Sequence, residues 1–139
     1  MVLSGLLEGE RGVARRDGEG LPPIEDGPDV GRVVVSRHDF ERRRLQYHIP
    51  FDVHPAGSAV LKLAQVVLGS AGVYLSTGPR SVWDVAGGAA VVEAAGGALL
   101  DARGEPLRLS PQRIGIPPFA AGAPGRGLAL LRAIGAGPR

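Results

Sequence analysis

Hydrophobic positions along the chain alternate between short apolar runs and longer segments with helical spacing. The run Arg32–Ser36 holds three successive valines, which is typical of a buried strand. In the segment 57–69, Leu61 and Leu68 recur on one face of a helix. Helices are predicted over 38–46, 57–69, 84–95 and 125–135. Strands are predicted over 1–7, 32–36, 47–53, 72–75, 98–101 and 114–119. This alternation predicts an α/β fold, with a mixed sheet of about five strands flanked by helices.

Residues 1–31 form a segment of different character. The stretch 11–28 is rich in Gly, Pro and charged residues, which is typical of turns. We therefore expect an irregular N-terminal segment or hairpin over 1–31, followed by one domain over 32–139. The segment carries an acidic cluster made of Glu25, Asp26 and Asp29. Such a cluster can bind a cation, but a solvated loop is the favoured interpretation.

The composition excludes several classes of site. None of the 139 residues is cysteine, so the chain has no disulfide, thiol nucleophile or cysteine-ligated zinc. No apolar run reaches membrane-spanning length and no secretory signal is visible, so we expect a cytoplasmic protein without a membrane partner. The net charge is only +2 and aromatic residues make up 4%, which argues against a nucleic acid polymer as partner. A small anionic molecule is the ligand that this balance favours.

Asp84 stands at the predicted start of a helix made mostly of small residues. A carboxylate there can accept hydrogen bonds from the first backbone N–H groups, or it can face outward and hold a cation. Gly87 and Gly88 each cost the helix about 1 kcal/mol relative to alanine. Their presence indicates that another element packs closely against this helix. The pair Gly96–Gly97 supplies a left-handed stop.

The stretch around Asp84 also resembles a known signature. Trp83-Asp84-Val85-Ala86-Gly87-Gly88, followed by Glu93-Ala94-Ala95-Gly96-Gly97, is similar to the second signature of the inositol monophosphatase superfamily. Its members are Mg²⁺-dependent, Li⁺-sensitive phosphomonoesterases. The resemblance implies that Asp84 is a metal ligand, that Mg²⁺ is the cofactor, and that the chain has the fold of the family's C-terminal subdomain. It covers residues 31–135 well and residues 1–30 loosely.

A second stretch carries the same resemblance. The helix that begins after Gly57 is similar to the family's Gly-Ser-Ala helix, which implies that Gly57, Ser58 and Ala59 contact the substrate and makes Lys62 a further candidate. Elementary physics agrees with this implication. Ser58 is a favourable N-cap, glycine allows close approach, and the N-terminus of a helix attracts an anion.

Two further residues are substrate-binding candidates through the bisphosphate nucleotidase branch of the superfamily. Members of that branch carry a Ser-Arg pair after a strand, similar to Ser36-Arg37 here. The alternative interpretation of the pair is a turn closed by the serine hydroxyl, with the arginine on the surface. Both interpretations stay open at the level of sequence.

The sequence before Trp83 bears on the substrate. Gly78-Pro79 resembles the bisphosphate nucleotidases more than the inositol phosphatases. In the latter, an acid that binds the inositol ring lies seven residues before the metal-binding Asp, and that position here is Thr77. The resemblance therefore implies a small phosphorylated metabolite, with a nucleotide bisphosphate favoured over a sugar phosphate or inositol phosphate.

Half of the family pattern is missing. The first signature, Asp-Pro-(Ile/Leu)-Asp-Gly-Thr, and the upstream metal-binding Glu have no counterpart in this sequence. Hydrolysis with two metals needs several converging carboxylates, so Asp84 alone would bind Mg²⁺ weakly and no catalytic residue is assigned. Two hypotheses follow. The chain is the C-terminal half of a bisphosphate nucleotidase-like phosphatase, truncated or split from its N-terminal half. Alternatively, it is an inactive remnant that binds an anionic metabolite or another protein. In either case we expect it to form a homo-oligomer or to pair with the missing half.

Overall fold

The computed structural model describes residues 2–3, 7–10, 13–16, 19–27, 29–77, 80–107, 109 and 115–135. These described residues form eleven short strands and four helices. The strands are β1 Val2–Leu3, β2 Leu7–Glu10, β3 Val13–Arg16, β4 Glu19–Gly20, β5 Arg32–Ser36, β6 Asp52–Ala56, β7 Val73–Ser76, β8 Arg80–Ser81, β9 Ala98–Leu100, β10 Gly115–Ile116 and β11 Phe119–Gly122. The helices are α1 Arg37–Glu41, α2 Ala59–Leu68, α3 Val82–Ala94 and α4 Pro124–Ala133, with a 3₁₀ turn at Leu45–Tyr47.

A five-stranded mixed sheet forms the centre of the fold, in the order β6-β5-β7-β11-β9. Strand β5 runs parallel to both of its neighbours, β6 and β7. Strand β11 runs antiparallel to β7 and β9. The predicted α/β class and the mixed sheet of about five strands are confirmed. In the parallel part of the sheet, the strands β6, β5 and β7 end at the same edge.

Both faces of the sheet are covered by apolar side chains. Successive strand residues point to opposite faces, so Val34 and Tyr74 pack with α2 and α3, whereas Val33 and Leu75 pack with α4. All four side chains are buried. Burial of each large apolar side chain contributes about 1.5–3 kcal/mol, which makes this double-sided packing the main source of stability.

The N-terminal segment differs from its prediction. Strands β1 to β4 form a second sheet in which each strand pairs antiparallel with the next, and the backbone of this sheet lies against α3. The single strand predicted over 1–7 is wrong, because two strands begin within that range. Turns throughout 11–28 are also wrong, because β3 and β4 lie there. Strand β3 pairs along its whole length with β2, from Leu7 opposite Arg16 to Glu10 opposite Val13, and local composition does not reveal this backbone pairing.

Three other boundaries also moved. The helix predicted over 38–46 ends at Glu41, and Arg44 then adopts a left-handed conformation with φ of 53° before the 3₁₀ turn. The strand predicted over 47–53 begins only at Asp52, after Pro50. It lies at the edge of the sheet, as Pro50 had indicated. The strand predicted over 114–119 is replaced by β10 and β11, with Pro117-Pro118 between them.

Among the residues that the structure describes, no helix combines the length and the apolar character that crossing a membrane requires.

Candidate functional site

Three parallel strands bring their carboxyl ends to one edge of the central sheet, which we call the carboxyl edge. Strand β5 leads into α1, β6 leads through Gly57 and Ser58 into α2, and β7 ends at Ser76 next to Thr77. The register aligns Ser36 with Ala56, so the first two of these ends are direct neighbours. Ligands of open α/β sheets bind outside the carboxyl ends of the strands. The carboxyl edge is therefore the candidate site.

The start of α2 has the features of an anion site. Ser58 is extended, with φ of −67° and ψ of 161°, and its Oγ accepts a hydrogen bond of 3.1 Å from the Leu61 backbone N–H, which confirms the predicted N-cap. The other N–H groups of the first turn have no partner within the helix. No described heavy atom lies within 4 Å of the position that a Cβ on Gly57 would occupy. A ligand can therefore approach this backbone closely.

Lys62 lies behind that helix start and is fully buried. Its Nζ donates to the Gly57 carbonyl and, at 3.4 Å, to the Ala56 carbonyl, and it lies 5.1 Å from the centre of the Tyr74 ring. In this arrangement the Lys62 side chain has no exposed surface with which to contact a substrate directly. The resemblance had made Lys62 a candidate for such a contact. Its amino group instead holds the carbonyl groups of Ala56, at the end of β6, and of Gly57, and it lies behind the first turn of α2.

Ser36 and Arg37 lie at the start of α1. The Ser36 Oγ accepts a hydrogen bond of 3.0 Å from the Asp39 backbone N–H, so this hydroxyl caps the helix. Arg37 is exposed. These are the features of the turn interpretation, while a role for either residue in substrate binding stays a prediction.

A polar cluster that sequence reasoning missed connects the ends of β5 and β7. The buried carboxylate of Asp39 accepts a hydrogen bond of 2.7 Å from the Thr77 hydroxyl and lies 3.6 Å from Arg43 Nε. Arg43 Nη1 in turn lies 3.4 Å from Thr77 Oγ1. The spacing Ser36-x-x-Asp39 is a local capping signal that could have drawn attention to Asp39. Its partner Thr77 is 38 residues away, so the pairing itself had no local signal.

Asp84 lies in the first turn of α3, as its third residue, because the helix begins at Val82. The prediction that the helix starts at Asp84 is therefore wrong by two residues. Strands β1, β2 and β3 of the N-terminal sheet lie against α3. The side chains of Trp83 and Asp84 lie outside the described residues. The role of Asp84 as a metal ligand stays a prediction.

The close packing predicted for the glycines of α3 is confirmed at Gly88. A Cβ there would overlap Cδ1 of Leu63 on α2 and lie 3.0 Å from its Cβ. The predicted stop is confirmed as well, because Gly96 has φ of 89° and the Gly97 N–H donates to the Val92 carbonyl at 2.9 Å. Helix α3 therefore fixes the position of α2, and with it the helix start at the carboxyl edge.

The acidic cluster of the N-terminal segment has structural partners. Asp26 Oδ1 accepts hydrogen bonds from the Gly27 and Gly125 backbone N–H groups, at 2.7 and 3.0 Å, and so caps α4 from a distance. Asp29 accepts from the Gly31 N–H at 3.1 Å. The interpretation as a merely solvated loop is incomplete, because these carboxylates replace water as partners of backbone groups. Within the described ranges, no three His, Asp or Glu side chains are placed to hold one metal ion together.

An apolar pocket of about 250 Å³ opens beside Thr77. Its walls include Leu75, Phe119, Leu131 and Ile134, which belong to β7, β11 and the end of α4. The pocket adjoins the polar cluster through Thr77. The carboxyl edge thus offers, in sequence across the sheet, a helix start, a polar cluster and an apolar recess.

Comparison of the chain with known proteins identifies several relatives. The model of the inositol monophosphatase family matches residues 22–133. The chain is 35% identical to the 3'(2'),5'-bisphosphate nucleotidase CysQ of Escherichia coli K12 over 82 residues. The aligned stretch covers 58% of this chain and 33% of CysQ. The chain is 39% identical to inositol monophosphatase 1 of Bos taurus over 88 residues. The aligned stretch covers 63% of this chain and 30% of the bovine protein. These matches span about a third of each curated relative.

Solved structures show the same fold. The inositol monophosphatase of Anabaena superposes with a TM-score of 0.71 at 24% identity, over 92% of this chain and 53% of that one. A staphylococcal inositol monophosphatase bound to inositol monophosphate superposes with a TM-score of 0.62 at 21% identity, over 83% of this chain and 46% of that one. The same protein has also been solved with 2'AMP bound.

Proposed function

The chain belongs to the inositol monophosphatase family, and on that basis we propose that it is the phosphate-binding half of a Mg²⁺-dependent phosphomonoesterase. We place its substrate among small phosphorylated metabolites and favour a nucleotide bisphosphate, in keeping with the CysQ relative. The single observation that carries the proposal is the start of α2. It is capped by Ser58, open at Gly57 and backed by the buried Lys62.

The start of α2 favours a phosphate for two electrostatic reasons. The N-terminus of a helix carries a partial positive charge, and backbone N–H groups there point toward a bound anion. Lys62 adds a full positive charge within a few ångströms of the same loop, in surroundings where water screens it little. In the proposal, Gly57, Ser58 and Ala59 provide the contacts with the phosphate, and Lys62 positions their loop.

The metal enters the proposal through Asp84. A carboxylate in the first turn of α3 is a suitable oxygen ligand for Mg²⁺, which prefers octahedral oxygen coordination. Among the described residues, no three His, Asp or Glu side chains are placed to hold one metal ion, so this part of the chain does not form a metal site by itself. We therefore derive no step through the metal. Asp84 would supply one ligand to a site completed by a second polypeptide segment that carries the missing signature.

Two further parts of the proposal concern the whole protein. A second segment that completes the site should also pack against this one, so we propose association of the chain with itself or with such a segment in the cytoplasm. Sedimentation velocity at micromolar concentration measures this directly. A clean monomer would contradict self-association and leave the association with a second segment and the phosphate site to be tested separately.

The phosphate site is tested by the binding of inorganic phosphate and of adenosine 5'-monophosphate to the 139-residue chain. We expect both to shift the backbone amide resonances of residues 57–61. Gly57→Val places a side chain in the open space and should weaken both affinities about tenfold, which corresponds to about 1.4 kcal/mol. Ala133→Val, at an exposed position in the last turn of α4, is the matched control and should leave both unchanged. Equal binding by the Gly57 and Ala133 variants would refute the proposed site.

A further inference from the structure

The guanidinium of Arg43 is held at the carboxyl edge by two groups. Its Nε lies 3.6 Å from the Asp39 carboxylate, and its Nη1 lies 3.4 Å from the Thr77 hydroxyl. Thr77 also donates to the same carboxylate at 2.7 Å. The three side chains therefore form a closed triangle in which each member restrains the others. An arginine held in this way has a defined orientation before any ligand arrives.

The exposure of the two charges is unequal. The Asp39 side chain is 4% exposed, whereas the Arg43 side chain is 52% exposed. A guanidinium has five N–H donors, and the two contacts within the triangle leave others on its exposed part. A ligand at the carboxyl edge therefore meets the cation and not the carboxylate. Three more arginines of the same segment, Arg37, Arg42 and Arg44, are also exposed and add to the positive potential there.

The triangle lies at a useful distance from the start of α2. Strand β5 separates β6, which leads to Gly57, from β7, which leads to Thr77. Neighbouring strands are about 4.8 Å apart, so the two ends lie roughly 10 Å apart along the carboxyl edge. Two anionic groups carried by one small molecule can span such a distance. A phosphate on α2 thus leaves the rest of the molecule within reach of Arg43.

From this geometry we propose that Arg43 is a specificity-determining residue, which binds a second anionic group of the substrate while the first phosphate lies at the start of α2. Asp39 and Thr77 are positioning residues, because they act on the ligand only through the orientation of Arg43. The inference rests on the proposed function and adds which residue of this chain recognises the second anionic group of the nucleotide bisphosphate that is favoured there. A forked, bidentate contact with a phosphate is the interaction for which arginine is best suited.

The test compares two nucleotides that differ by one phosphate. The dissociation constants of adenosine 3',5'-bisphosphate and adenosine 5'-monophosphate are measured by calorimetry on the 139-residue chain. The wild-type chain should prefer the bisphosphate. Arg43→Ala should lower that preference about tenfold and leave the affinity for the monophosphate unchanged. Arg43→Lys should restore it in part, because a lysine retains the charge but not the fork.

Two further variants separate positioning from folding. Thr77→Val keeps the shape of the side chain and removes the hydroxyl, so it should lower the preference about threefold while the monophosphate binds as before. Arg132→Ala removes an exposed arginine in the last turn of α4 and should leave the preference unchanged. A purely structural role for Thr77 would instead change both affinities equally.

The outcomes distinguish this inference from the proposed function. A preference that is the same in the wild-type chain and in Arg43→Ala overturns the role of Arg43, while binding that depends on Gly57 still supports the phosphate site. Failure of the wild-type chain to bind either nucleotide overturns both proposals. If the preference depends on Arg43 but not on Gly57, the role of Arg43 is supported and the first phosphate does not bind at the start of α2.

Discussion

Helices α1 and α2 begin in nearly the same way, yet we propose that an anion binds the backbone N–H groups of α2 and not those of α1. Each follows a parallel strand, and each is capped by a serine whose φ is −67°. The capping hydrogen bonds are 3.0 Å in α1 and 3.1 Å in α2. The two starts are neighbours at the carboxyl edge, because Ser36 aligns with Ala56.

The difference lies in the charge that each helix places near its own start. The residue three positions after Ser36 is Asp39, a buried carboxylate that supplies a negative charge to the first turn of α1. In α2, the equivalent residue is Leu61, and the next residue is the buried Lys62. A negative charge already satisfies the dipole of α1, whereas a positive charge strengthens the attraction of α2 for an anion. In the proposal, the same backbone geometry therefore gives a closed cap in α1 and an anion site in α2.

The largest expected effect concerns catalysis, which the start of α2 cannot provide by itself. The 139-residue chain should release phosphate from adenosine 3',5'-bisphosphate at a negligible rate even with millimolar Mg²⁺, because two-metal hydrolysis needs several carboxylates. Adding a polypeptide that carries the missing signature should restore turnover, and Asp84→Asn should then abolish it. A colorimetric phosphate assay measures both. Rapid release by the chain alone would show that its own residues suffice.

A large effect on stability is expected where α3 supports α2. Gly88→Val would force a side chain into Leu63, and such overpacking should lower the free energy of unfolding by about 3 kcal/mol. Urea denaturation followed by circular dichroism measures the change. Gly57→Val is the matched control, because open space surrounds that glycine. The free energy of unfolding of this variant should change little. Equal stability of the two variants would contradict the close contact between α2 and α3.

Lys62→Met tests the charge that distinguishes α2 from α1. Methionine fills a similar volume but leaves the Ala56 and Gly57 carbonyls without this donor, so the free energy of unfolding should fall by about 1–3 kcal/mol. Phosphate affinity should fall about threefold to tenfold, because the positive charge behind the helix start is lost. Calorimetry and urea titration on the same sample separate the two effects. Unchanged affinity in a folded variant would remove Lys62 from the anion site.

The smallest effects come from the two capping serines. Ser36→Ala and Ser58→Ala should each lower the free energy of unfolding by about 1 kcal/mol, because each removes one side-chain cap. Only Ser58→Ala should also weaken phosphate binding. Amide chemical shifts in a phosphate titration show which helix start the anion contacts. A loss of binding in Ser36→Ala and not in Ser58→Ala would reverse the assignment of the two helices.

Several features of the site were predictable from sequence because they depend on residues close together in the chain. Ser58 caps α2 through a residue three positions away, and Gly69, with φ of 83°, ends that helix within its own last turn. Gly96 stops α3 through bonds that span five residues at most. The residue types at these spacings have few other conformations that satisfy the same backbone groups. Apolar runs and helical spacing likewise predicted the α/β class, although Leu61 and Leu68, which the spacing placed on one apolar face of α2, are exposed.

Tertiary structure alone decided the features that join distant parts of the chain. Thr77 meets Asp39 because β5 and β7 are neighbours in the sheet, and Asp26 caps α4 from 99 residues away. Lysine side chains are most often exposed, but the fold directs Lys62 inward under the Gly57 loop. Charged residues between glycines indicated turns, but pairing with β2 made β3 a strand. In each case the partner is set by strand order and helix packing, which lie beyond the few residues over which local hydrogen bonds and side-chain spacing act.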